Sequence, residues 1–286
     1  MSCYSGTEIT NDGLQFYYDM NNTQKSWKGA PTTNLITLPF SSWGNSYNTG
    51  ITTNQLDPFG GTDATLLEDT YTGNDGSFID SNLTTITASP TTVYSNSIYI
   101  KKGTAATIEV CNYFYGSATL STRMSYTFDT DALSGTGTIT NLSRTILSGG
   151  WIKIQYSAPD PNGANTGIFT RIYPGTHFTG PTGTVYVYGA QCEINPFPTP
   201  YVNGSRTTTT ALLDLAGKNT LTTTSLTYAS DNTFSFNGTS NYISCGNFGT
   251  FYPNGTISMW INSAVMANWN NPFSTHAINA GIRFEE

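Results

Sequence analysis

One stretch, Thr184–Asn203, constrains the fold more than any other part of the chain. Positions 185–188 read Val-Tyr-Val-Tyr, so both faces of an extended segment are apolar, which suits the interior of a packed sandwich better than an exposed edge. Pro196, Pro198 and Pro200 then remove backbone donors that a central strand would need. The stretch therefore predicts a buried closing strand followed by an extended exit arm, as at the end of a β-domain.

The length and composition favour an all-β protein of about two domains. The chain has 286 residues, which is enough for about two domains by length alone. Only 10% of the residues are charged, against about 25% in an average soluble domain. Thr and Tyr are abundant and suit strand surfaces, while Asn and Gly suit the turns between strands. With 37% hydrophobic residues, the composition is not that of a disordered chain.

Five phrases in residues 34–202 resemble those of a carbohydrate-binding-module-like jelly roll that occurs in phage tail-fibre, spike and head-surface proteins. In that family the domain closes with a strand like VYVWGAQLE and an arm like FPTSYI, and the present chain has YVYGAQCE and FPTPYV. The phrases follow the family's order and lie at Asn34-Leu35 to Trp43, Asp57–Leu67, Tyr94–Thr104, Gly150–Tyr156 and Tyr186–Val202. The resemblance implies an antiparallel sandwich over residues 31–202.

The second half resembles the start of a concanavalin-A-like (laminin-G-type) jelly roll in phage proteins. Phe234 and Phe236 alternate with polar neighbours as in a strand, and Asn237-Gly238 is a strong tight-turn dipeptide. Ile257, Met259 and Ile261 would share one face of a further strand. The phrases that carry the resemblance are Ala211–Thr223, Phe234–Gly246 and Gly255–Asn262.

Such a domain normally opens with a strand that is missing directly before Ala211, and Gly13–Asn22 matches that strand instead. We therefore expect two antiparallel jelly-roll sandwiches, the first inserted into the second. Residues 1–30 would form an arm and the first concanavalin-like strand, residues 31–202 the inserted jelly roll, and residues 203–286 the rest of the concanavalin-like domain. Insertion requires termini that lie close together at a surface, which a jelly roll supplies. Two domains in tandem behind an N-terminal arm are the alternative.

The second domain is shorter than the resemblance leads us to expect. A half-sandwich would leave an unpaired strand edge and an apolar face in water, which invites pairing with another chain. We therefore expect the missing strands to come from a longer natural polypeptide or from a neighbouring subunit. A homo-oligomer is expected on the same grounds.

Charge and hydropathy exclude several classes of partner. The net charge of −7 argues against a nucleic-acid groove, which needs clustered Lys and Arg. Lys101-Lys102 is the one adjacent basic pair and is expected to solvate a strand end. No apolar run is long enough for a membrane-spanning helix, and the first residues show no secretory signal pattern. These features fit a virion component that is assembled inside the host.

The sequence provides no catalytic constellation, so we expect a non-enzyme. The carboxylate strand of concanavalin-like glucanases is absent, as is a GxSxG nucleophile elbow. Asp129 and Asp131 are two residues apart but are best explained by a turn. His177 lies in a loop-like segment, and neither it nor His276 has a partner nucleophile in an identifiable pattern. No phosphate-binding glycine run is present, and no cofactor is predicted.

The sequence also predicts no metal centre. Cysteines 3, 111, 192 and 245 are far apart and form no CxxC pair, whereas zinc sites need close ligand pairs. Cys192 stands where the resembling family has Leu, so we expect a small buried hydrophobic residue there. Asp57, Asp63 and Asp69 leave a structural calcium open, but their spacing does not supply the ~6–8 oxygen ligands that calcium takes.

Sugar binding stays open, without assigned residues. Both kinds of jelly roll bind glycans through exposed aromatic rings in the families that the chain resembles. The aromatic candidates are Trp27, Trp43, Tyr47, Tyr71 and Trp269. Trp43 is expected in the core, Trp151 and Trp260 are expected to start or end buried strands, and Trp269 is the most loop-like.

Together the resemblances imply a non-enzymatic structural or display protein of a bacteriophage particle, as a head decoration or tail fibre. Its partners would be other virion proteins, and host-surface glycans stay an open partner. The alternative is a glycan-binding adhesin or lectin module of a cellular or phage protein. A glycan hydrolase ranks last because the carboxylate pair and the nucleophile elbow are absent from the sequence.

Overall fold

The structure is a computed structural model that describes residues 16–18, 28–71, 76–176, 183–216, 218–228, 234–237, 239–245, 273–274 and 281–282. The chain divides into two compact units. One unit is Lys28–Ala211, and the other combines Met1–Trp27 with Leu212–Glu286. The described part of each unit is considered separately below.

The first unit is built almost entirely from short and medium strands. Single 3-10 turns at Phe40–Ser42 and Ser148–Gly150 and a four-residue helix α1 at Thr208–Ala211 complete it. Its strands, in chain order, are β1 (Thr32–Thr33), β2 (Gly44–Tyr47), β3 (Thr49–Gln55), β4 (Ala64–Asp69), β5 (Phe78–Asp80), β6 (Thr84–Thr85), β7 (Val93–Lys102), β8 (Thr107–Tyr115), β9 (Leu120–Thr127), β10 (Ala132–Thr136), β11 (Thr140–Ile146), β12 (Trp151–Pro159), β13 (Gly167–Tyr173), β14 (Gly183–Ile194) and β15 (Ser205–Arg206).

These strands form two sheets, packed as an antiparallel sandwich. Sheet 1 has the order β10-β9-β8-β13-β5-β2, with β6 also pairing with β13, and sheet 2 has the order β11-β12-β7-β14-β4-β3. The chain passes between the sheets at both lateral edges, from β2 to β3 and from β10 to β11, so the edge strands of the two sheets are covalently joined. The predicted all-β jelly-roll sandwich is confirmed.

The core lies between the two sheets and follows the two-residue period of the strands. Sheet 2 contributes Ile98, Ile100, Ile154 and Val187, all with at most 3% of their surface exposed. Sheet 1 contributes a facing set in which every member is equally buried, namely Ile79, Ile108, Val110, Phe114, Met124, Ile168 and Ile172. Each such side chain stabilises the fold by about 1.5–3 kcal/mol relative to exposure.

The closing strand β14 is central in sheet 2, between β7 and β4, as the sequence predicts. Its pairing with β7 shifts register between Tyr188 and Gln191, where Gly189 has a φ of 59°. Such a bulge inserts one residue and changes which side chains face each side. As a result Ala190 and Cys192 pack in the core. The polar side chains of Gln191 and Glu193, which alternate with them, lie on the other side of the strand. The prediction that Cys192 is a small buried hydrophobic residue is confirmed.

The exit arm after β14 folds back and is fixed by hydrogen bonds. The carboxylate of Glu193, which has no exposed surface, accepts from the Thr199 amide at 2.7 Å and from the Thr199 hydroxyl at 2.8 Å. Arg206 then donates to the carbonyl oxygens of Ala30 at 2.7 Å and Pro200 at 3.0 Å, and to the Thr199 hydroxyl. The buried Arg206 side chain thus ties the entry of the unit to its exit.

The first unit continues past the boundary at residue 202 that the sequence suggests. Strand β15 pairs with β1, so that Thr32 lies opposite Arg206, and the compact unit ends at Ala211. The insertion of one domain into another stays a prediction.

In the second unit the described strands are short: β16 (Thr222–Thr224), β17 (Thr227–Tyr228), β18 (Phe234–Ser235), β19 (Tyr242–Ser244), β20 (Phe273–Ser274) and β21 (Gly281–Ile282). They pair as β16-β19, β17-β18 and β20-β21. Only Phe16–Tyr18 of the predicted strand Gly13–Asn22 is described. Here the Tyr17 carbonyl accepts from the Leu215 amide at 2.6 Å. The predicted strand Gly255–Asn262, with Ile257, Met259, Trp260 and Ile261, lies outside the described residues.

Candidate functional site

An open cleft lies on the outer face of sheet 1, opposite the side that packs in the core. Its volume is about 480 Å³. Two strand-flanking loops and strands β5, β8 and β13 form its walls. The lining residues are Leu38, Ser42, Gly44, Asp80, Ser81, Asn82, Leu83, Tyr115, Phe169 and Arg171. The lining residues on β5, β8 and β13 have fixed positions relative to one another because these strands are hydrogen-bonded in one sheet.

A polar row crosses this outer face from strand to strand. Arg171 of β13 lies opposite Asp80 of β5 on one side and opposite Cys111 of β8 on the other, and Cys111 lies opposite Arg123 of β9. Gly44 of β2 is the register partner of Asp80 and has open space where a Cβ would stand. At the edge of the sheet, therefore, the strand residue next to Asp80 has no side chain that would cover the end of the row.

Arg171 and Asp80 form a bidentate ion pair in this row. The Arg171 Nε donates to Asp80 Oδ1 at 2.5 Å, and Nη2 donates to Oδ2 at 2.7 Å. The Nη1 of Arg171 donates to the Tyr173 hydroxyl at 3.3 Å. Two parallel N–H···O bonds of this kind fix the plane of the guanidinium group as well as its position.

Aromatic rings enclose the guanidinium group of Arg171. Its central carbon lies 3.6 Å from the centroid of the Phe78 ring and 4.7 Å from that of Tyr113. Tyr113 and Phe169, which are direct cross-strand partners, have ring planes within 6° of parallel and centroids 5.2 Å apart. Cations placed over aromatic faces in this way are attracted by the ring quadrupole. The aromatic rings and the polar row therefore form one rigid face.

The protonation states of Arg171 and Tyr173 stay fixed over the physiological pH range. Burial by itself lowers the pKa of Arg171, but the hydrogen bonds with Asp80 and Tyr173 outweigh it and hold that pKa above its ordinary value. Burial also raises the pKa of the Tyr173 hydroxyl. The guanidinium is therefore always protonated, and Tyr173 is neutral.

The structure separates the aromatic residues that the sequence suggests for sugar binding. Trp43 packs in the core beside Phe40, and its indole N–H donates to the Leu38 carbonyl at 3.0 Å. Tyr47 lies at the edge of the outer face, with its ring 5.7 Å from that of Phe78, and Tyr71 packs against Tyr47 at 5.5 Å. The predicted core position of Trp43 is confirmed, while neither Tyr47 nor Tyr71 is among the residues that line the cleft. Trp27 and Trp269 lie outside the described residues.

Trp151 begins strand β12 and is buried, as the sequence predicts. It packs on the outer side of sheet 2 with Tyr99, and Tyr186 and Tyr188 adjoin them. Strand β7 ends at Lys101-Lys102, as expected for a basic pair at a strand end. Lys102 forms an ion pair with Asp129.

Asp57 and Asp69, two of the acidic residues considered for calcium, accept hydrogen bonds from backbone amides of their own loops. Asp57 accepts from the amides of Phe59 at 2.7 Å and Gly61 at 3.1 Å, and the Asp63 amide approaches the same carboxylate at 3.4 Å. Asp69 accepts from the Tyr71 amide at 3.0 Å. Within the described ranges, no group of three His, Cys, Asp or Glu side chains is arranged to hold a metal ion.

The predicted turn at Asp129–Asp131 is confirmed, between β9 and β10. Asp131 forms an ion pair with Arg144 and accepts from the Tyr126 hydroxyl. Among the cysteines, Cys111 and Cys192 are buried thiols and Cys245 is half-buried. Cys3, His177 and His276 lie outside the described residues. In the part of the chain that the structure covers, no helix is long and apolar enough to cross a membrane.

The residues that build the cleft are not among the candidates from the sequence. A signal for them exists in the segment Ile168–Tyr173, where Phe169, Arg171 and Tyr173 alternate with core-facing Ile168 and Ile172. Two large aromatic residues and an arginine on the solvent side of a central strand are unusual for a merely solvated face. The partner of Arg171, Asp80, is 91 residues away and carries no such signal.

No protein-family model and no curated protein sequence matches the chain. Among solved structures, the fold is similar to the CBM22-1 xylan-binding domain from Paenibacillus barcinonensis Xyn10C, with 9% identity and a TM-score of 0.35 over 60% of this chain and 97% of that domain. A carbohydrate-binding module from Cellvibrio mixtus lichenase 5A, in complex with cellotriose, matches with 10% identity and a TM-score of 0.33 over 57% and 98% of the two chains. The enzymatically active domain of bacteriophage CBA120 tailspike protein 4 matches with 10% identity and a TM-score of 0.30 over 65% of this chain and 21% of that one. At these scores the likenesses carry no assignment of function.

Proposed function

We propose that the chain binds glycans without catalysis, in the cleft on the outer face of sheet 1. The observation that carries this proposal is the combination of partly exposed aromatic rings with one hydrogen-bonding arginine, held by its ion pair, on an open face. Ligand sites are mostly apolar and aromatic with a few well-placed polar groups. Sugars match such a site because each ring has an apolar C–H face and a rim of hydroxyl groups.

Two aromatic residues are placed to form the apolar part of the site. Tyr115 is 54% exposed at the end of β8, and Phe169 lies half-buried in the cleft. Exposed rings that are held on strands lose little conformational entropy when a ligand binds. We therefore assign these two rings to stacking on the sugar.

The experiment is a glycan array with the full chain, followed by calorimetric titration of the best ligand. We expect Phe169→Ala and Tyr115→Ala to weaken binding by about tenfold or more, because an aromatic contact contributes about 1–3 kcal/mol. The matched control is Phe59→Ala. Phe59 is 66% exposed, but it packs against Tyr99 and Tyr188 of sheet 2. Unchanged binding in the sheet 1 variants, or loss in the control, would place the site elsewhere.

We further propose that this glycan-binding chain is a display protein of a bacteriophage particle, together with other virion proteins and in several copies. This part rests on the resemblance of the five phrases in residues 34–202 to phage surface proteins. The ligand would then be a host-surface glycan. The alternative, an adhesin module of a cellular protein, would use the same cleft. Mass spectrometry of purified particles separates the two, because a virion protein must be present in them.

A further inference from the structure

The hydrogen-bonding capacity of Arg171 is only partly used by the protein. Arginine has five N–H donors in one plane. In the described part of the chain, one on Nε and one on Nη2 bind Asp80, and one on Nη1 binds Tyr173. One donor therefore remains on each terminal nitrogen. Both donors lie in the guanidinium plane, which is held by Phe78 and Tyr113.

Two of the other polar side chains of the cleft wall, Ser81 and Asn82, are already bound within the protein. The Ser81 hydroxyl accepts from the Thr170 amide at 2.9 Å. Asn82 donates to the Thr84 hydroxyl at 3.0 Å and accepts from the Thr37 amide at 3.2 Å. Ser42 and Tyr115 add one hydroxyl donor each, so Arg171 is the wall residue that offers two remaining donors in one plane.

The charges that line the cleft cancel. Arg171 and Asp80 are the charged residues among those that form its walls, and they are paired bidentately. Next to them on the same face, Arg123 and Glu109 form a second pair at 3.5 Å. An anionic group at the free donors of Arg171 would share that guanidinium with the Asp80 carboxylate. Like charges so close in a partly buried site repel each other.

We propose that the cleft selects uncharged sugars that present two neighbouring free hydroxyl groups to the remaining N–H donors of Arg171, and that Asp80 is the positioning residue that makes this choice. The proposal rests on the glycan-binding function proposed above. Two oxygens on adjacent carbon atoms match the spacing of a guanidinium fork, and a neutral ligand adds no charge beside Asp80. Uronic and sialic acids would be rejected.

Two substitutions separate the role of Asp80 from that of Arg171. Asp80→Asn keeps the shape but removes the negative charge, so Arg171 gains an uncompensated positive charge at the cleft. We expect binding of the neutral glycan to fall by about tenfold and binding of acidic glycans to appear. Arg171→Lys keeps the charge but loses the planar fork, so we expect weaker binding of neutral glycans without a gain for acidic ones.

The test is an array that prints neutral glycans beside their carboxylated counterparts on the same backbone, probed with the full chain. Preference of the unmodified chain for the neutral member, reversed by Asp80→Asn, is the expected result. Binding of the carboxylated member as tightly as the neutral one would overturn this inference but leave the proposed function intact. Failure to bind any glycan would overturn both. If thermal melting shows that Asp80→Asn does not fold, the test uses Arg171→Lys instead. Unchanged binding of neutral glycans by Arg171→Lys would then contradict the proposal that they bind to the two N–H donors of Arg171.

Discussion

The side-chain oxygen of Asn34 accepts a hydrogen bond from the backbone amide of Cys192 at 3.0 Å, although the two residues are 158 positions apart. The same oxygen accepts from the Ile36 amide at 3.0 Å. The Asn34 side-chain amide donates to the carbonyl oxygens of Ala190 at 3.0 Å and Val202 at 3.3 Å. One buried side chain thus joins the start of the first unit to its closing strand and to its exit arm.

Replacement of Asn34 should destabilise the first unit strongly. In Asn34→Ala the backbone groups of Cys192 and Ala190 lose partners in a buried setting, so we expect the free energy of unfolding to fall by about 2–4 kcal/mol. Urea denaturation followed by tryptophan fluorescence measures this. Thr33→Ala is the control, since Thr33 is exposed and its loss should change the stability by less than about 0.5 kcal/mol. Equal effects of the two substitutions would show that Asn34 does not join these segments.

The sequence predicted this region well in outline but not in register. The Val-Tyr alternation indicates a central strand, and the prolines indicate its end; both are found. The bulge at Gly189 could not be predicted, because glycine permits a positive φ without requiring it. Only the surrounding structure, with the rings of Tyr99 and Tyr201 against Gly189, requires it there.

The cleft was less predictable than the fold for a similar reason. The sequence candidates are aromatic residues of the kind that stack on sugars when exposed, whereas the charged and aromatic residues of the cleft lie on strands β5, β8 and β13. The pairing of Arg171 with Asp80 depends on the register between β13 and β5, and register is set by the whole sheet rather than by either strand. Tyr47, one of the sequence candidates, lies beside Phe78 because β2 pairs with β5.

Thr122 offers a test of the polar groups inside the sandwich. Its side chain has no exposed surface, and its hydroxyl has no hydrogen-bond partner in the described structure. Thr122→Val replaces the hydroxyl by a methyl group of similar size, so we expect the free energy of unfolding to stay the same or rise by about 1 kcal/mol. Thr170→Val is the matched control, because the Thr170 hydroxyl donates to Asn112 at 3.4 Å. In Thr170→Val the free energy of unfolding should fall by about 1 kcal/mol. A larger fall in Thr122→Val would contradict the conclusion that the Thr122 hydroxyl has no hydrogen-bond partner.

The cleft should bind its glycan without cleaving it. Glycoside hydrolysis generally needs two carboxyl groups about 5–10 Å apart on either side of the bond. Asp80 is the one carboxylate among the described residues that line the cleft, and both its oxygens are bound to Arg171. We expect no release of reducing ends from a bound oligosaccharide over a day of incubation. Turnover that disappears in Asp80→Asn but not in Glu68→Gln, an exposed carboxylate on sheet 2, would contradict this.

Lowering the pH should destabilise the second unit because the Asp214 carboxylate becomes protonated. The Asp214 carboxylate accepts from the backbone amides of Tyr17 at 2.9 Å, Ala216 at 2.9 Å and Asn219 at 3.0 Å. Burial raises the pKa of Asp214, but these hydrogen bonds outweigh it and hold that pKa below its ordinary value. The native state therefore binds this proton less readily than the unfolded state does. Its stabilisation is fully present above the unfolded-state pKa of about 4 and is lost as the pH falls through the lower native value.

Asp214→Asn makes this expectation measurable. Because the amide cannot replace the charge, we expect the variant to lose about 1–2 kcal/mol at neutral pH, and the difference from the unmodified chain to shrink as the pH falls below about 4. Urea unfolding at several pH values from neutral to acidic measures both effects. Asp129→Asn, which removes an exposed carboxylate paired with Lys102, is the control and should cost less than about 1 kcal/mol. Since Asp214 binds the Tyr17 amide across 197 residues, an unchanged stability would also argue against a second unit assembled from both ends of the chain.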